Sequence, residues 1–168
     1  MMGMLRSEVT DEHLNRRILL FLRNITEIKI IDKVQSVTRR IAKKSVRATD
    51  DYAVYQVQEY ENDTLKSEDN WLVVRSVSDV PEKVRVDYVT KEWERDIIDK
   101  REISAAFRLS QEDNLESEQR GTAHIGVFSF LPLKEIPSGL NFMIQADFLT
   151  NPGRGDLARQ CQWNNWLA

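Results

Sequence analysis

The apolar positions of this chain change period several times, and the changes mark out its elements. Leu14, Ile18, Leu19 and Leu22 fall at offsets of four, five and eight, one face of a helix, and Thr10-Asp11-Glu12 ahead of them supplies a capping hydroxyl and two acids. This predicts a short helix ending near Arg23. Glu27-Ile28-Lys29-Ile30-Ile31-Asp32 alternates and is β-branched, so it reads as a strand, with residues 34–37 turning into a partner. Residues 38–47 fit either one helical face or an exposed strand, and strand is preferred. Tyr52, Val54, Val57 and Tyr60, with Tyr55 opposite, make a further strand; polar residues 61–70 predict a hairpin-like loop, and Trp71-Leu72-Val73-Val74 complete a meander. Pro81 opens an amphipathic stretch with Val84, Tyr88, Trp93 and Ile97, which predicts a solvated helix down to Arg101. Strand character returns over 102–109, before an acidic, apolar-poor loop at 110–121.

Residues 127–131 and 142–149 read as two strongly apolar strands, joined through Pro132, Pro137 and Gly139, and they predict the centre of the core. Asn151-Pro152-Gly153-Arg154-Gly155 then reads as a tight loop, and Asp156 opens a helix running through Leu167 with Trp163 and Trp166 on it. The expected fold is α+β: a mainly antiparallel or mixed sheet of about six or seven strands, with a helix at each end and one across it.

A chain of 168 residues suits a single domain that buries roughly 70% of its unfolded surface. With 41% hydrophobic and 30% charged residues it belongs among globular chains. The apolar run 18–22 is far shorter than the roughly 20 residues that cross a bilayer, and the acidic, polar residues before it do not resemble a signal peptide. Cys161 is the one cysteine and His13 and His124 are the two histidines, so neither an internal disulfide nor a structural zinc site is expected. A reducing, cytoplasmic setting follows, in which Arg154-Gly155-Asp156 and the sequons at Asn24 and Asn62 carry no adhesive or glycan role. Net charge is only −3, yet residues 1–50 hold 11 Lys/Arg against 6 Asp/Glu and residues 51–118 hold 9 against 18. That opposition suggests a contact surface. Nucleic-acid binding through Arg39, Arg40, Lys43, Lys44 and Arg47 is disfavoured by a pI near 5.5 and by few interleaved aromatics.

Catalytic signatures are absent: the chain has no GxGxxG, GxxxxGK[ST], HExxH, GxSxG or CxxC. Cys161 reads as a small buried hydrophobe and both histidines as structural. The loop 151–156 stands out instead, because a helix N-terminus behind it, with Gly153, Gly155 and the guanidinium of Arg154, would suit an anion such as phosphate.

Several stretches resemble the region that follows the nucleotide-binding domain in sacsin-like and NO VEIN-like proteins of the GHKL ATPase superfamily, the group of gyrase, heat-shock chaperone, histidine kinase and MutL. They are Leu19-Leu20-Phe21-Leu22-Arg23, Phe128-Ser129-Phe130-Leu131-Pro132, Ala146-Asp147-Phe148-Leu149 and Trp163-Asn164-Asn165-Trp166-Leu167, in the family's order. The family's Ser-Ser-Arg-Glu is here Pro152-Gly153-Arg154-Gly155, which keeps the arginine and the following Asp156 but not the glutamate. The resemblance implies a non-catalytic, transducer-like segment. In it Arg154 would contact the γ-phosphate of ATP, as a loop arginine does in heat-shock chaperone ATPases, with Gly153, Gly155 and Asp156 as loop support. It further implies an adjacent ATP-binding domain as partner, with ATP and magnesium held there and no cofactor bound by this chain alone. The nucleotide pocket would precede residue 1 and further parts would follow residue 168, where Trp163 and Trp166 are expected to need partners. The alternative is a standalone protein-interaction module, acting through its opposed charges on a partner or on itself, with no nucleotide role.

Overall fold

The structure, a computed structural model, describes residues 16–116, 126–133, 140–153 and 155–168. Within these, nine strands form one sheet: β1 (Glu27–Asp32), β2 (Val37–Ala48), β3 (Tyr52–Glu61), β4 (Thr64–Asp79), β5 (Lys100–Leu109), β6 (Leu115–Glu116), β7 (Val127–Ser129), β8 (Leu131–Pro132) and β9 (Met143–Gln145). The order is β1-β2-β3-β4-β5-β9-β7-β8, with β6 on β5. Every pairing is antiparallel except that of β7 with β9. The α+β class and the mixed sheet stand as read from the sequence; the strands beyond six or seven are the two-residue β6 and β8.

Turn chemistry sets the register of the meander. Asp32 Oδ1 accepts from the N–H groups of Val34 and Gln35, at 2.8 and 3.0 Å, and folds β1 back onto β2. Asn62 and Asp63 both hold positive φ, 47° and 64°, the requirement of a two-residue type I′ hairpin. The expected loop over 61–70 is therefore only these two residues, and Thr64 already starts β4. A shift of register between Ser45 and Arg47 marks a bulge in β2.

The long helix expected from Pro81 to Arg101 is instead two short ones, α1 (Glu82–Arg85) and α2 (Tyr88–Glu92). Asp87 interrupts it by acting as a cap, its carboxylate accepting from Thr90 N at 3.2 Å. Glu94, at φ 54°, then ends α2. Its N–H bonds Lys91 O at 2.9 Å and that of Arg95 bonds Thr90 O at 2.9 Å, the two links of a Schellman motif. The last helix, α3 (Gln162–Leu167), also starts later than Asp156. Thr150 and Leu157 pair in an antiparallel bridge ahead of it, and the segment 142–149 is strand only over β9.

Cross-strand register places Ile41, Val57, Trp71, Val73, Ala106, Phe128 and Met143 on one face of the sheet. A single 3-10 helix (Arg16–Leu20), in place of the α-helix expected there, covers that face with Ile18, Leu19 and Leu20. The opposite face, near β5 and β9, is covered by α1, α2 and α3 in a second cluster around Val84, Leu133, Phe148, Leu149, Trp163 and Leu167. Trp163 is completely buried and donates from Nε1 to Asp147 O at 2.8 Å, so it finds its partners inside the chain; Trp166 packs against the same cluster and edge-on to Trp163. Cys161 is buried there, as expected.

Much of the charge opposition is absorbed internally. Arg16 bonds Asp69 at 2.7 Å and Ser67 at 2.9 Å, Arg39 bonds Glu59 at 2.6 Å, and Arg23 pairs with Glu102. Strand alternation also divides the basic run between faces, with Arg39 and Lys43 on one side of β2 and Arg40 and Lys44 on the other. His13 and His124, the cap at 10–12, residues 117–121 and the turn residues Pro137 and Gly139 lie outside the described residues. Among the described residues no helix is long and apolar enough to cross a membrane.

Asn164 ties α3 to the irregular segment before it. Its Oδ1 accepts from Leu149 N at 2.8 Å, and its Nδ2 donates to Leu149 O at 2.8 Å and to Ala158 O at 3.1 Å. Replacing Asn164 by Ala strands these backbone groups and is expected to cost about 2–4 kcal/mol in urea unfolding, with Asn164→Asp costing more because its oxygen faces two carbonyls.

Candidate functional site

Beyond Leu20, where the 3-10 helix ends, the described residues leave a cleft of about 450 Å³ on the sheet face, lined by Leu20 to Arg23, Val73, Arg75, Arg101, Glu102, Ser104, Phe130, Gln145 and Asp147. Its floor follows from register: Arg75 of β4 lies opposite Ser104 of β5, and Ser104 opposite Gln145 of β9. These polar residues end rows whose apolar members lie under Leu19 and Leu20, so the core grades into a polar opening.

Asp147 forms one wall. Its carboxylate is nearly buried and takes two guanidinium groups, Arg95 Nη2 on Oδ1 at 3.2 Å and Arg101 Nε on Oδ2 at 2.9 Å. Arg95 reaches it because the Schellman turn after α2 reverses the chain there. Arg101 also lies over the Trp163 ring, 5.8 Å from its centroid. A carboxylate so placed is held by charge-assisted bonds, and losing either arginine leaves a buried charge under-compensated.

The rim is Phe130, the single residue between β7 and β8. It is 59% exposed and sits at φ 61°, a region bulky side chains avoid. Its N–H is fixed on Gln145 Oε1 at 2.9 Å, and the flanking Ser129 hydroxyl is fixed on Phe148 O at 2.9 Å. These anchors hold an aromatic ring out at the mouth of the cleft.

Beside the cleft, on the same face of the sheet, lies Lys43, 7% exposed, with Nζ donating to Leu22 O at 2.7 Å and lying 4.8 Å from the centroid of the Tyr55 ring. Burial pulls its pKa down to about 8, with the nearby positive charge of Arg75 adding to the effect. Arg75 donates to the Tyr55 hydroxyl at 2.8 Å. Among the described residues no carboxylate pairs with Arg75 or with Lys43.

The loop singled out from the sequence lies elsewhere. Arg154 is outside the described residues, and neither Gly153, Gly155 nor Asp156 lines the cleft. Asn151 Oδ1 accepts from Gly155 N at 3.1 Å, while Asp156 caps Leu157 N at 2.8 Å and pairs with Arg159 at 3.4 Å. Because α3 begins only at Gln162, no helix N-terminus stands directly behind Arg154, and the dipole part of the anion argument falls away. Sequence reasoning passed over Asp147, Arg95, Arg101 and Arg75 as site residues, and weighed Lys43 only within a basic run for nucleic acid. Asp147 was legible only as part of an apolar motif, and Arg101 was hidden in a charged run taken for a solvated helix.

The chain is similar to Protein NO VEIN of Arabidopsis thaliana, at 40% identity over 75 residues, a stretch that covers 44% of this chain and 3% of that protein. The chain thus spans a small part of the relative it matches. No protein-family model matches it, and no solved structure does.

The lowered pKa of Lys43 has a definite sign. The unfolded chain holds this proton more tightly than the folded one between pH 8 and about 10.5, so the lysine disfavours folding below pH 8 and ceases to do so as it deprotonates. The stability of the protein relative to Lys43→Met is therefore expected to rise by up to about 3 kcal/mol from pH 7 to pH 10.5, read as the difference between two denaturation series.

Proposed function

We propose that this chain is a non-catalytic coupling segment of a NO VEIN-like ATPase polypeptide, passing the state of an adjacent ATP-binding domain to the parts beyond it. One observation carries the reading: the four stretches behind the resemblance, scattered along the chain, meet around Asp147. Leu20 to Arg23 line the cleft beside it, Phe130 forms the rim, Asp147 itself belongs to the third stretch, and Trp163 of the fourth binds its carbonyl. Residues brought together from such separations form one unit able to move or resist movement as a body, which is what transmission between domains requires.

In this reading ATP and magnesium belong to the adjacent domain, in a cytoplasmic setting, and this chain supplies Arg154 to the γ-phosphate. Without a helix terminus behind it, the contribution is that of the guanidinium alone, a planar donor fork that offsets charge on the phosphate. Gly153 and Gly155 keep the loop slim, and Asp156 closes it. The rival reading, a standalone protein-interaction module, loses part of its motive because Arg16, Arg23, Arg39 and Arg47 of the basic region pair with acids of the acidic region within the chain.

The test mixes the purified chain with the ATP-binding domain of a complete NO VEIN-like protein and follows ATP turnover. The unaltered chain is expected to change the rate, and Arg154→Ala to remove at least tenfold of that change. Equal rates with either chain remove the arginine from the mechanism, and no effect of the chain at all contradicts the coupling.

A further inference from the structure

The charges around the cleft do not balance. Glu102 is already engaged by Arg23 and by Ser104 Oγ, and Asp147 by Arg95 and Arg101. Both acids are therefore fully employed, while Arg75 faces the same space with only the Tyr55 hydroxyl as partner. Beside it on the same face, Lys43 adds a second positive group that no acid pairs with among the described residues. A half-buried guanidinium ordinarily finds an opposite charge. The other lining is mostly apolar and aromatic, with Phe21, Leu22, Val73 and the outward-held Phe130, and Gln145 is engaged by Phe130 N and Ala146 O. A cleft of this size, apolar with a few convergent polar groups, has the form of a small-molecule site.

We propose that this cleft binds a small organic carboxylate with an aromatic or apolar body, its acid group on Arg75 and its body between Phe21 and Phe130. A guanidinium edge matches a planar carboxylate with two parallel N–H donors. A phosphate dianion would need more donors than this end offers, since Arg23 and Arg101 of the lining are already paired with Glu102 and Asp147 and Lys43 does not line the cleft. The inference does not depend on coupling to an ATP-binding domain.

Four probes at pH 7 test it by calorimetry on the full chain: 2-naphthoate, its neutral counterpart 2-naphthamide, 2-naphthyl phosphate and acetate. Naphthoate is expected to bind at least tenfold tighter than naphthamide and tighter than naphthyl phosphate, with acetate too weak to measure. Arg75→Gln should weaken naphthoate at least tenfold and leave naphthamide unchanged, whereas Phe130→Ala should weaken both. Because Phe130 is exposed, this second variant tests the site even if Arg75→Gln does not fold. Equal binding of naphthoate and naphthamide, tighter binding of the phosphate, binding unaffected by Phe130→Ala, or no binding of naphthoate overturns the proposal.

Discussion

Asp147 is one carboxylate on which four elements depend. Its oxygens hold Arg95, placed by the turn after α2, and Arg101, at the start of β5; its backbone follows β9, and its carbonyl receives the indole N–H of Trp163 in α3. Two arginines on one nearly buried acid satisfy both of its oxygens, which suits a group that could not remain charged there alone. The second apolar cluster, built from short helices and irregular chain, has few backbone ladders of its own. This network joins it to the sheet.

The opposite face rests on a different economy. One turn of 3-10 helix covers it, fastened by Arg16 on Asp69 at one end and by Arg23 on Glu102 at the other, with Ile18, Leu19 and Leu20 driven into the sheet between them. Among the described residues so short a cover leaves part of the face open, and the opening is the cleft. Asp147 stands where the two arrangements meet, since it is wall to the cleft and tie to the helices. The apolar clusters are thus linked through the polar residues that shape the candidate site.

The meander was legible in the sequence because alternation is a local signal: β1, β2, β3 and β5 lie close to where the pattern put them, while the strand read at residues 71–74 is the middle of β4, which starts earlier, at Thr64, and runs on to Asp79. That start was missed because residues 61–70 are polar and a polar strand looks like a loop; only the Asn62-Asp63 pair, both at positive φ, marks the hairpin. Periodicity also overran real helix ends. Asp87 and Glu94 break the stretch after Pro81 through capping geometry, and neither is the glycine or proline that usually signals a stop. For Trp163 the sequence displayed a large aromatic near the chain end, and a need for outside partners was inferred from that alone. Its indole N–H is taken by the Asp147 carbonyl, and it shares its apolar cluster with Val84, a residue far away along the chain. The site was illegible for the same reason, since Arg75, Arg101 and Lys43 meet only through strand register. Each, taken singly, is one more basic residue in a charged chain.

If Asp147 joins the helical cluster to the sheet, removing its charge should release one part and spare the other. Native-state hydrogen exchange on Asp147→Asn, resolved by residue, measures this directly. The account predicts that the amides of α2, β9 and α3 and the Trp163 indole lose protection together, by at least tenfold, while β2, β3 and β4 keep theirs. A uniform loss across the whole sheet, or no loss in α3, would contradict it.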